Sequence, residues 1–174
     1  MKNTAINSLG YTGTVTLSRY FGQKKIKIAE IQNEGTYSLF SFLTDCLLGD
    51  FDLARVNRPT KIKLLKYIPE KKDAAGNLVP EDYESRSPFL YIVNKPEKVD
   101  SKASDSKSTI RYSFTVPRDM LQNSFDSIGL YAHSANDSNP KNFAAVVKNI
   151  KLNTQSLSTS TVLVVDWELS ISNK

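Results

Sequence analysis

The stretch STSTVLVVDWELSIS (158–172) decides the fold. Leu163, Val165, Trp167, Leu169 and Ile171 occupy five consecutive odd positions, and Val162, Val164, Asp166, Glu168 and Ser170 occupy the even ones. Side chains alternate across a strand, so a period of two means a strand with one apolar face. The odd face, with the chain's single tryptophan, is the one expected to pack inward. The even face, with its two carboxylates, is expected to be the wet face of an outer sheet.

The same period recurs on either side. In TIRYSFTV (109–116), Ile110, Tyr112, Phe114 and Val116 lie opposite Thr109, Arg111, Ser113 and Thr115. In SIGLYAH (127–133), Ile128, Leu130 and Ala132 point inward, and Gly129 lets a neighbour approach closely. FAAVVKNIKL (143–152) reads as one or two strands, and Val15 and Leu17 begin the first clear one. Ile26 and Ile28 follow, with Lys25 and Lys27 on the other face. KIKLLKYI (61–68) sets Ile62 and Leu64 against Lys61 and Lys63, and FLYIV (89–93), apolar on both faces, reads as a central strand. PRDML (117–121) reads as a turn of helix.

One segment breaks the rhythm. In TYSLFSFLTDCLL (36–48), Leu39, Phe40, Leu43, Cys46 and Leu47 fall on one helical face. Thr36 is placed to cap its start, and Gly49 to end it in a left-handed conformation. Cys46 reads as a small buried hydrophobe. Many short strands and one helix predict a mainly β fold, an antiparallel β-sandwich of jelly-roll type. A parallel βαβ sheet would need several more helices. Residues 1–11 read as a polar N-terminal arm. Residues 12–174 read as one domain carrying long polar loops at 70–88 and 95–108, and such loops are usually functional or mobile.

The 174 residues suit one domain. Net charge is +5, with lysines spread over most of the chain rather than clustered. No apolar run approaches the roughly 18 residues of a membrane helix, and the first residues do not form a secretory signal. The single cysteine rules out an intrachain disulfide and any CxxC pair.

Each candidate route to chemistry has a competing structural explanation. His133 is the only histidine, so a nucleophilic triad would have to use it, with Asp126 and Asp137 near in sequence; no GxSxG elbow precedes it. Asp166 and Glu168 lie about 7 Å apart along one strand face, loosely compatible with a glycosidase pair. Asp50 and Asp52, and Glu81, Asp82 and Glu84, are carboxylate clusters without the loop that organises calcium. One histidine and one cysteine exclude a zinc site of usual composition, and no glycine-rich phosphate loop occurs. Lysines 24–27 and 61–66, with Tyr20 and Tyr67, could line a nucleic-acid groove. The competing explanation is edge strands protected by charge. The expectation is no catalytic residue, no cofactor, no metal and no nucleic-acid partner.

The carboxy-terminal quarter carries a resemblance. IGLYAHS (128–134), FAAVV (143–147) and TVLVVDWELSISN (161–173) follow in an order similar to strands of tail and fibre proteins of tailed bacteriophages. NEGTYSLFSFLTDCLLGDF (33–51) resembles the short helix between strands of such domains. Ser127 departs from the acidic residue usual there. The resemblance implies a virion structural or fibre-attachment component, assembled in the host cytoplasm, that binds copies of itself and other virion proteins. The alternative is a carbohydrate-binding module, for which Tyr83, Tyr91, Tyr131 and Trp167 are the candidate aromatic platforms.

Overall fold

The structure is a computed structural model and describes residues 9–99, 107–152 and 162–173. In chain order the strands are β1 (Leu9–Phe21), β2 (Lys24–Gln32), β3 (Glu34–Gly35), β4 (Pro59–Ile68), β5 (Lys71–Lys72), β6 (Leu78–Val79), β7 (Asp82–Ser85), β8 (Leu90–Tyr91), β9 (Glu97–Val99), β10 (Lys107–Pro117), β11 (Ser127–Ala132), β12 (Ala145–Val147) and β13 (Val162–Asn173). Helices α1 (Tyr37–Leu48) and α2 (Phe51–Asn57) lie between β3 and β4.

Two antiparallel sheets face each other. One has the order β2-β1-β13-β10-β9, the other β3-β12-β11-β4-β7, with β8 also on β4. The deciding strand, β13, is the centre of the first sheet. Val15, Trp167 and Tyr112 form one row across it, and Leu17, Val165 and Phe114 the next. These rows meet Ile62, Leu64, Ile128, Leu130, Ala145 and Val147 of the second sheet in one core. Fully burying each such side chain stabilises by about 1.5–3 kcal/mol. The connectivity establishes an antiparallel two-sheet fold, not the jelly-roll subtype.

The alternation predicts the inward faces of β11 and β13, and of β10 from Tyr112 to Val116; Ile110, expected inward, is 39% exposed. Other elements differ. The 89–93 segment is not a central strand: β8 is two residues long, and Tyr91 and Val93 are exposed. The 70–88 segment is mostly exposed but carries regular pairing. Asp73 accepts from the backbone N–H of Ala75 and Asn77 and closes a β5–β6 hairpin, and β7 pairs with β4. In 95–108, β9 pairs with β10; residues 100–106 lie outside the described residues. Leu9–Tyr11 of the expected arm belong to β1, where Leu9 pairs with Asn173; residues 1–8 lie outside the described set.

The helical segment is a hairpin of two helices. Gly49 ends α1 with φ 73°, as expected. The Asp50 carboxylate then accepts from Leu53 N–H (3.1 Å) and starts α2, too short for its period to be read from sequence. Thr36 does not cap α1 with its hydroxyl. It donates instead to the carbonyls of Phe143 (2.7 Å) and Ala144 (2.9 Å), tying the helix start to the chain entering β12. Leu39, Phe42 and Leu43 pack on the core, whereas Phe40 is exposed and meets Tyr11 edge-on. Cys46 is exposed as well, and the Leu47 side chain lies outside the described residues.

Candidate interaction surface

The residues singled out for chemistry are placed where they hold the fold. His133 follows β11 and is exposed; its Nδ1 lies 3.5 Å from Thr60 Oγ1. Neither neighbouring aspartate bonds to it. Asp126 accepts from Lys66 Nζ (2.5 Å), Tyr67 N–H (2.8 Å) and Ser127 Oγ (3.1 Å), and Asp137 pairs with Lys63. Burial works to raise the Asp126 pKa, and the Lys66, Tyr67 and Ser127 bonds outweigh it and hold the carboxyl below its ordinary value.

Asp166 and Glu168 share a face, as the alternation requires, but each is taken. Asp166 is buried rather than wet, accepting from Lys25 Nζ (2.6 Å) and Ser113 Oγ (2.7 Å). Glu168 accepts two bonds from the Arg111 guanidinium (2.8 and 2.6 Å). Such cross-strand pairs stabilise a sheet, and they occupy both carboxylates with partners from their own sheet. Asp50 caps α2; Glu81 bonds Tyr67 and Lys148; Asp82 pairs with Lys141 and Glu84 with Arg86. Among the described residues, no three His, Cys, Asp or Glu side chains come together as a metal set.

The two lysine segments do not form a stripe, since β2 lies in one sheet and β4 in the other. β2 is a sheet edge, so charge protection fits it. β4 lies inside its sheet, so the edge-charge explanation does not extend to it. Lys61 and Lys63 point away from the core, yet are only 5% and 4% exposed. The 133–143 segment folds over them. Lys61 donates to the carbonyls of His133 (3.0 Å) and Ala135, Lys63 pairs with Asp137, and both ammonium groups sit over the Phe89 ring at 4.2 and 4.4 Å. Burial pulls the Lys61 pKa down, against the pull of Asp137. Leu65, Tyr83, Tyr131, Phe143 and Val146 form a second apolar cluster beside them. This pair of buried lysines is a strap for a loop.

Of the four aromatic platforms, Trp167, Tyr83 and Tyr131 are buried, and Tyr91 alone is open at 62%. A different pocket, of about 230 Å³, has only uncharged lining groups: Ser38, Ser41, Asn57, Ser134, Asn136 and Asn142 supply its polar atoms, and exposed Tyr37 also lines it.

The feature that sequence reasoning missed is the outer side of the helical hairpin. Tyr37, Phe40 and Leu48 lie on one stripe of α1, and Phe51, Leu53 and Val56 on α2, all open to solvent. Tyr37 is 85% exposed, Leu48 78% and Phe51 77%. The signal was present in the sequence: α1 carries apolar residues around most of its circumference, more than one buried face can absorb. Beside the hairpin runs a groove of about 690 Å³. Phe42, Ile92, Ile110 and Tyr112 form its apolar lining, and Arg58 and Lys95 contribute its charges. Single exposed apolar side chains are ordinary, but large contiguous ones mark contact sites.

No family model, no curated protein and no solved structure matches this chain.

Proposed function

We propose that this chain is a non-enzymatic structural component of a tailed-phage virion that works by covering apolar surface against other proteins. The observation that carries the interface part is the outer face of the α1–α2 hairpin, where six large apolar side chains are left in water. Burying such a face on a partner returns the free energy that its exposure withholds from the monomer, about 25 cal/mol per Å². The virion setting rests on the pattern of residues 128–134, 143–147 and 161–173, which become β11, the stretch entering and forming β12, and β13. Mass-spectrometric mapping of purified particles made from the genome encoding the chain tests this setting. Its peptides are expected in fixed stoichiometry to the other virion proteins; particles lacking them overturn it.

The second reading is a carbohydrate-binding module, favoured by the neutral pocket beside Tyr37. Hydroxyl and amide groups with an adjacent aromatic ring suit a sugar better than a charged ligand. In that case glycan binding is lost in Asn142→Ala and leaves Trp167 fluorescence unmoved, since Trp167 is fully buried.

A further inference from the structure

We infer that copies of this chain assemble head to tail, the tip of the α1–α2 hairpin of one copy seating in the groove beside the hairpin of the next. This rests on the interface reading above and specifies the partner. The two surfaces differ in shape and charge. The tip is convex: Leu48 and Phe51 flank the turn at Gly49, with Leu53 continuing along α2. The groove is concave and apolar, with Val93 and Ile110 exposed at its wall.

Exposure marks the tip as a contact: Leu48, Phe51 and Leu53 stand open there, and covering them on the apolar wall of the groove removes that surface from water.

Charge decides which contact. The hairpin, residues 37–57, holds three aspartates, Asp45, Asp50 and Asp52, against one arginine, Arg55. The chain's net +5 therefore divides into −2 on the hairpin and +7 on the rest. A two-fold contact would set one net-negative hairpin against another. Seating it in the groove sets those carboxylates against Arg58 and Lys95 instead. A contact between two different patches leaves one of each free at the ends. It therefore propagates into a closed ring or an open fibre.

The test uses two full-length variants and light scattering coupled to gel filtration. Phe51→Asp spoils the tip, and Val93→Asp spoils the groove. Both positions are exposed, so circular dichroism and the melting temperature are expected to stay as in the parent. The parent is expected to form multimers, and each variant alone to be monomeric. An equimolar mixture is expected to form a dimer and nothing larger, because one intact tip then meets one intact groove. A second groove variant, Lys95→Glu, removes little packing, and the weakening it causes is expected to fade as salt rises. A mixture that stays monomeric overturns the head-to-tail geometry, as does a Val93→Asp chain that assembles like the parent. Both results leave the interface reading standing. A parent that is monomeric at every concentration overturns the self-assembly proposed here, while particles that still contain the chain would keep the virion reading.

Discussion

Trp167 is fully buried at the centre of β13, and its indole N–H needs a partner there. Asn33 supplies it: the side-chain oxygen accepts from Nε1, and the amide nitrogen donates to the Gly13 carbonyl (3.0 Å). Asn33→Ala strands the indole N–H, and we expect a loss of about 1–3 kcal/mol in urea unfolding. Gly129 is a second such point. A Cβ there would stand 2.8 Å from the Tyr131 ring and 3.1 Å from Leu65 Cδ1, so Gly129→Ala is expected to cost about 1–3 kcal/mol through overpacking. An unchanged unfolding midpoint in either variant contradicts these contacts. The inward position of Trp167 and the close approach at Gly129 could be read from the sequence, because alternation and a missing side chain are local signals. The Asn33 partner could not, since it comes from a turn far from Trp167 in sequence and joins it only through the β1–β2 and β1–β13 registers.

At the scale of elements, the ends of β4 and β11 are stitched by one carboxylate. Asp126 holds Lys66, the Tyr67 N–H and Ser127, and its folded pKa lies below its ordinary value. A depressed carboxyl pKa adds stability that is fully present above the unfolded-state pKa of about 3.9, and that stability is lost as pH falls through the folded value. Asp126→Asn is therefore expected to lower the melting temperature at neutral pH and to flatten its fall on acidification. A variant that keeps the parent's acid limb contradicts this. The strands themselves were legible wherever one face was apolar. The lysines of β4 misled because alternation gives the direction of a side chain, not what lies over it. Lys61 and Lys63 do leave the core, but into the cover of the 133–143 segment and Phe89. The helix was legible through residues 39–43. Its outer half was not, because a stripe of apolar residues reads the same whether it meets this chain's core or another protein.

For the molecule as a whole, polar groups on the sandwich's outer faces pair across strands, whereas the outer side of the helical hairpin is apolar and open. The outer face of the first sheet is cross-linked by Lys25–Asp166, Ser113–Asp166, Arg111–Glu168 and Thr109–Ser170 pairs, and the outer face of the second is covered by its loops. The hairpin leaves six large apolar side chains of α1 and α2 open, beside others on the sandwich such as Phe21, Leu78 and Tyr91, and the sequence pattern that pointed to an assembly part gave no hint of where the contact lies. If this face works on a partner, replacing Leu48 by Asp is expected to leave the melting temperature of the dilute protein within about 0.5 kcal/mol of the parent's stability, as for an ordinary surface site. The most direct measurement is the mass of the parent chain in solution, by light scattering at two widely separated concentrations, beside Leu48→Asp. The account predicts a multimer, or a mass that rises with concentration, in the parent and a monomer in the variant. A parent that is monomeric at both concentrations, with a mass the substitution does not change, would contradict it.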